Sequence, residues 1–219
     1  RGKLTVWSPN QNAFAFRILL SKIFGLPMNR VRVIRPAIGG AFGSKLEMTI
    51  EPVVAALAMM TKRPVKLVLN RRETMIATRT RHAAIVYIRT GVKKDGTLIA
   101  LHNTAVLEGG AYSSFGIATV YYAGSLLGGP YKLPNMKYDG YRVYTNRPAC
   151  GAQRGHGGVA ARAGFEQQLD IIAEILGLDP VELRLKNIME AGDTTCNELN
   201  MSSLGMKECI EAIREHSDW

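Results

Sequence analysis

Long apolar runs are missing from this sequence: no uninterrupted stretch approaches the roughly 18 residues that a membrane span needs. The N-terminus has neither the apolar core nor the cleavage site of a signal peptide. Cysteine is scarce. The three present, Cys150, Cys196 and Cys209, are an odd count at spacings that match no zinc or disulfide framework, which favours a reducing compartment and a cytoplasmic address. Internal repeats and low-complexity segments are absent, and so are helix-turn-helix, zinc-finger and RNA-binding signatures. Nucleic acid is therefore not the expected partner, despite a net charge of +10. The charge is lopsided: residues 1–100 carry 18 basic and 4 acidic side chains, and residues 101–219 carry 10 and 14. Such an asymmetry suits an anionic ligand or an acidic protein surface.

With 47% hydrophobic and 21% charged residues the chain is globular material, long enough for one large or two modest domains. Leu4-Thr5-Val6-Trp7 reads as a strand already under way at Arg1, and the expectation is a piece of a longer polypeptide. Asn10 is placed to cap a helix running to about Phe24, with Phe14, Ile18, Leu19 and Ile23 on its apolar side and Gly25 closing it. Val31-Arg32-Val33-Ile34-Arg35 and Val65-Lys66-Leu67-Val68-Leu69 have the β-branched character of strands, with a helix over residues 51–60 between them. Asn70 to His82 reads as a basic connection. Residues 83–107 form a hairpin around Asp95-Gly96, with His82 and His102 as structural residues lacking a carboxylate or cysteine companion. Glu108 to Gly129 reads as a long loop, Tyr138 to Tyr144 as a strand, and Val159 to Leu176 as a helix ending at Gly177. Asp179-Pro180-Val181-Glu182 specifies another helix start, and a last helix covers Lys207–Ser217, with Cys209 in its core. The pattern is α+β, mixed sheets with packed helices. A single fragment over 1–219 is expected, with subdomains at about 1–75 plus 150–219 and 76–149.

Two glycine-rich turns carry the chemistry. Gly39-Gly40-Ala41-Phe42-Gly43-Ser44-Lys45 and Cys150-Gly151-Ala152-Gln153-Arg154-Gly155-His156-Gly157-Gly158 each stand between an extended run and a helix. Glycines let backbone N–H groups approach a ligand, and a turn that enters a helix adds the positive end of its dipole. An anionic cofactor fits that form, and so does a tight turn needed for steric reasons alone. The first turn lacks the Ser/Thr and glycine spacing of a P-loop, and its glycines do not follow G-x-G-x-x-G.

The first turn resembles the GG-[GA]-FG-[GSN]-K signature of the molybdenum hydroxylases, the xanthine dehydrogenase and aldehyde oxidase family. Ala152 to Gly157 resembles that family's A-[FYQM]-RG-[FH]-G turn, Asn70 to Met75 its [DN]R-x-E-x-M segment, and Tyr131 to Asn135 its Y-x-[IL]-P-N. The resemblance implies the first molybdopterin-binding domain of a catalytic subunit. It implies molybdopterin, with molybdenum, in its simple or cytosine dinucleotide form, held by Gly39, Gly40, Phe42, Gly43, Arg154 and Gly155. Phe42 and Arg154 would lie near the metal without ligating it, Arg154 through its backbone N–H, and Leu46, Gln153 and His156 would face substrate. Implied partners are a second molybdopterin-binding domain, 2Fe-2S clusters and FAD on further domains or subunits, and a small aromatic substrate.

Departures from the purine enzymes narrow that substrate. Leu46 stands where they carry a glutamate and Tyr122 where they carry an arginine, so the polar clamp for a purine is lost. The second turn, with Cys150 before it and Tyr122 or Tyr121 upstream, looks most like the 4-hydroxybenzoyl-CoA reductase branch. That likeness makes Cys150 and Tyr122 candidate catalytic groups for reductive removal of a ring hydroxyl, the plain reading of Cys150 being a small buried residue. Oxidative hydroxylation of a purine, nicotinate or aldehyde, and a non-catalytic assembly role, are the alternatives. The family's catalytic glutamate is expected outside this chain, with Glu47 as the nearest substitute within it, so the chain by itself is expected to be inactive.

Overall fold

The computed structural model describes residues 2–217 and residue 219. Five strands and seven helices are found among them: β1 (Leu4–Trp7), α1 (Ala13–Phe24), β2 (Val31–Ile34), α2 (Glu51–Thr61), α3 (Arg71–Ala77), β3 (Ala84–Val92), β4 (Leu98–Gly110), α4 (Gly116–Ser125), β5 (Met136–Tyr144), α5 (Gly158–Leu176), α6 (Pro180–Asn187) and α7 (Met206–His216). No helix among the described residues is long and apolar enough to cross a membrane. The chain divides into two units, one of Arg1–His82, Gly109–Ile117 and Tyr144–Arg154, the other of Ala83–Glu108, Ala118–Val143 and Gly155–Trp219. The division falls elsewhere than expected. Residues 155–219 belong with the hairpin rather than with residues 1–75, because α5 packs along β3.

In the first unit β1 and β2 run parallel, Leu4 opposite Val31 and Trp7 opposite Ile34. Val6, Leu20, Val31 and Ala55 form its small core. Helix α1 is capped by Asn12, whose side chain accepts from the Ala15 N–H at 3.1 Å, and Gly25 closes it in the left-handed region. Asn10 instead is buried, its side-chain amide on the Ser8 carbonyl. The buried face of α1 is Phe16 and Leu20, whereas Phe14 is 75% exposed and Ile18, Leu19 and Ile23 are exposed with it. A helix apolar over most of its circumference gives periodicity no single stripe to find. Val65–Leu69 has no regular secondary structure and belongs to no strand, since no described strand bonds to it. The basic connection after it is largely helix α3, started by a reciprocal capping box in which Asn70 accepts from the Glu73 N–H and Glu73 accepts from the Asn70 N–H.

The second unit centres on the sheet β3-β4-β5. β3 and β4 are antiparallel around a turn where Gly96 takes φ 84°, and Asn187 seals that turn, accepting from the Leu98 N–H and donating to the Gly96 carbonyl. Phe165, Leu169, Ile172 and Ala173 of α5 join Leu98, Leu101, Leu107 and Tyr131 in the core. Burial pushes the Tyr131 phenol well above its ordinary range; its hydroxyl donates to Glu166, which Arg184 also holds. The expected loop from Glu108 contains the end of β4 and the whole of α4. Cys209 is exposed rather than in a core. His102 does have a carboxylate companion: its Nε2 lies 2.7 Å from Asp139 Oδ2, and that hydrogen bond holds the Asp139 carboxyl below the usual range.

Candidate functional site

The first glycine turn follows β2 and is tied down from within. Lys45 Nζ donates to the Gly40 carbonyl at 2.8 Å, the Ser44 hydroxyl to the Ala41 carbonyl at 2.7 Å, and the Leu46 N–H to the Gly43 carbonyl at 3.1 Å. Gln11 braces it from outside, accepting from the Gly43 N–H and donating its own N–H to the Lys45 carbonyl. The turn does not enter a helix as expected: α2 begins only at Glu51, so no helix dipole points at it. Phe42 takes φ 54°, rare for a bulky residue, and the residue is 59% exposed.

The second turn closes on the first. The Arg154 N–H donates to the Phe42 carbonyl at 2.8 Å, Arg81 Nη2 donates to the Arg154 carbonyl at 2.7 Å, and the Arg154 guanidinium stands 6.0 Å from the centre of the Phe42 ring. Gly43, at φ 100°, passes so near that an added Cβ would stand 2.6 Å from the Ala152 carbonyl oxygen. The Arg154 N–H, expected to face a cofactor, is thus occupied by Phe42. Before the turn, the Cys150 N–H bonds the Gly109 carbonyl and the Gly151 N–H the Thr80 carbonyl. Cys150 is 4% exposed, with its Sγ 3.7 Å from the Thr80 hydroxyl oxygen. Burial of that kind is the plain reading of the residue, a small packed thiol.

Glu47 belongs to a knot beside the clasp. The Ser114 hydroxyl donates to its carboxylate, Arg79 Nε lies 3.7 Å from it and 3.1 Å from the Ser114 oxygen, and Gly151 leaves no room there for a side chain. Leu46 and Gln153 are half-buried beside these groups in the chain. In the second unit, Gly157 at φ 86° delivers the turn directly into α5. The His156 ring lies 5.3 Å from that of Tyr122, which meets Tyr121 edge-on at 5.4 Å. Gly155, also at positive φ, is pressed by Val159.

The clasp suits a phosphate-bearing cofactor. The backbone N–H groups of Gly40, Ala41 and Phe42 donate to no described residue, and an added Cβ at Gly39 would meet nothing within 4 Å, so no neighbour in the chain requires glycine there. Free donors beside the open Gly39 backbone, with the Arg154 guanidinium near the Phe42 ring, suit an anion. No group of three His, Cys, Asp or Glu side chains among the described residues could hold a metal ion. Sequence reasoning missed Gln11, Arg79, Arg81 and Ser114. Arg79 and Arg81 were visible only as loop charge, and Gln11 and Ser114 carry no local signal of bonding to residues so distant in sequence.

The molybdopterin cofactor-binding domain family matches residues 1–188. The nicotinate dehydrogenase large molybdopterin subunit of Eubacterium barkeri is 36% identical over 98% of this chain and 51% of its own length. A putative xanthine dehydrogenase molybdenum-binding subunit of Escherichia coli is 35% identical over 99% of this chain and 29% of its own. The solved aldehyde oxidoreductase of Desulfovibrio gigas superposes with a TM-score of 0.90 at 31% identity, over 99% of this chain and 24% of that one. The chain therefore spans about half or less of these relatives. With the glycine clasp in place and the family match covering most of the sequence, this chain belongs to the molybdopterin cofactor-binding domain family of the molybdenum hydroxylases.

Proposed function

We propose that the chain is the first molybdopterin-binding domain of a molybdenum-dependent oxidoreductase, and that the longer protein oxidises an aromatic or N-heterocyclic substrate. The observation that carries this reading is the clasp of Phe42-Gly43 on Ala152–Arg154, with donors left free at Gly40 to Phe42. Molybdopterin, in its simple or cytosine dinucleotide form, supplies the two-electron redox chemistry when bound. Gly40 to Phe42 would hold its anionic part through backbone donors, with Gly39 and Gly43 shaping the turn, and Arg81 and Arg154 would balance its charge. The exposed Phe42 ring would shield the bound group from water on its side. Within the second unit, Tyr122 offers a substrate ring surface with His156 rather than a guanidinium. A flat ring without a purine's paired donors suits them better. A second molybdopterin-binding domain brings the general base, and iron–sulfur and flavin partners take the electrons.

The direction is oxidative in this reading. Reductive removal of a ring hydroxyl, as in the 4-hydroxybenzoyl-CoA reductase branch, needs the Cys150 thiol at the substrate, and that thiol is packed against Thr80. The relative named a nicotinate dehydrogenase supports an N-heterocycle. The test takes the full-length protein through metal and pterin analysis, then through nicotinate, an aromatic aldehyde and xanthine with an artificial electron acceptor, and 4-hydroxybenzoyl-CoA with a low-potential reductant. Absence of molybdenum and pterin sinks the proposal. Dehydroxylation of the thioester that disappears in Cys150→Ala replaces it by the reductive reading.

A further inference from the structure

The first unit holds one parallel pair of strands, β1 bonded only to β2 and β2 only to β1 among the described residues. Parallel strands are stable as buried layers covered on both faces, so a lone pair is an incomplete sheet. Beside β1 lies Val65–Leu69, apolar apart from Lys66 and without regular secondary structure, and no described residue gives it a backbone hydrogen bond. A groove of about 440 Å³ runs between the two. The whole of β1 forms one bank, Val65 to Val68 the other, and Val54, Ala55 and Ala58 of α2 line it as well; no residue of β2 does. Trp7 and Val68, on opposite banks, are 67% and 70% exposed.

We infer that this groove takes an extended strand from a part of the same protein outside these 219 residues, completing a sheet between β1 and Val65–Leu69. An apolar hollow alone would accept many shapes. Two banks of unpaired backbone groups are more selective, because buried N–H and C=O groups need partners. Only an inserted strand answers both at once, at the spacing of about 4.8 Å that sheets require on each side. β1 is four residues long, roughly 13 Å at strand rise, and that sets the length of the paired segment. The small apolar side chains of α2 ask for apolar residues at alternate positions of the insert, and proline at its centre would leave one bank unsatisfied. Its source follows from the relatives, which carry about half or more of their length outside the region this chain matches.

Hydrogen–deuterium exchange on the full-length protein tests the strand. The amides of Val65–Leu69 are expected to exchange as slowly as those of β2, and exchange at loop rates overturns the inference. A benzophenone amino acid at the exposed Val68 position tests the source. A crosslink to an extended segment of the same polypeptide, with unchanged subunit mass, is expected. A crosslink to a different subunit overturns the assignment, as does one confined to residues 2–217. Neither readout depends on bound cofactor or on activity, so the outcome is independent of the proposed reaction.

Discussion

At Gly43 a methyl group has nowhere to go: the backbone is at φ 100° and the Ala152 carbonyl stands where the Cβ would be. Gly43→Ala forces the two turns apart and places an L side chain in a region that costs about 1–2 kcal/mol before any clash is counted. The expected outcome in the full-length protein is a lowered melting temperature together with lost molybdenum and pterin, read by calorimetry and elemental analysis. Unchanged cofactor content would mean that the clasp is not the cradle. Glu47 is a different kind of residue, holding Ser114 and Arg79 rather than facing a ligand. Glu47→Ala leaves the Ser114 hydroxyl without its acceptor and Arg79 without its ion-pair partner, and is expected to destabilise by roughly 1–3 kcal/mol, seen as a lower urea midpoint.

Among the elements, the ends of helices were plainer in the sequence than their faces. Gly25, Gly177 and Asp179 do what their residue types dictate. The Asn70–Glu73 capping box was equally legible in its spacing, but the surrounding arginines drew attention to charge instead. Asn70→Ala is expected to cost α3 about 1 kcal/mol, measurable as faster amide exchange over Arg71–Ala77. The buried stripe of α5 was readable because Phe165, Leu169, Ile172 and Ala173 recur at helical spacing, even though Val159, Ile171 and Ile175 are exposed, and Phe165→Ala should cost about 3–5 kcal/mol. That of α1 was not, since burial there depends on where β1 and β2 lie. The two glycine turns stood out in sequence, whereas the bond between Phe42 and Arg154 joins residues too distant for any local pattern. The β3–β4 turn carries a pH signature. Hydrogen bonds from Lys186 and Thr97 lower the Asp95 carboxyl from 3.8 to about 2. Its stabilising contribution is therefore complete above about pH 4 and lost as pH falls toward 2. Asp95→Asn is expected to flatten that acid limb in urea titrations while leaving the shape of the neutral region unchanged.

For the molecule as a whole, the two units are unequally built. Four buried side chains form the core of the first, against fourteen in the second, so the 219-residue chain by itself is expected to open first in its first unit. Exchange on that chain should show amides of α1, β1 and β2 opening at lower free energy than those of α5 and β4, and the reverse order would contradict the comparison of cores. The bond from Arg154 to Phe42 has one more consequence, which concerns time rather than energy. The polypeptide between them includes every element from α2 to β5, and synthesis at several residues per second makes the first glycine turn long before its partner. On the ribosome that turn emerges open and stays open until Arg154 has followed. Any nascent chain halted before Cys150 carries Gly39 to Lys45 in full but lacks the Arg154 N–H that closes on Phe42.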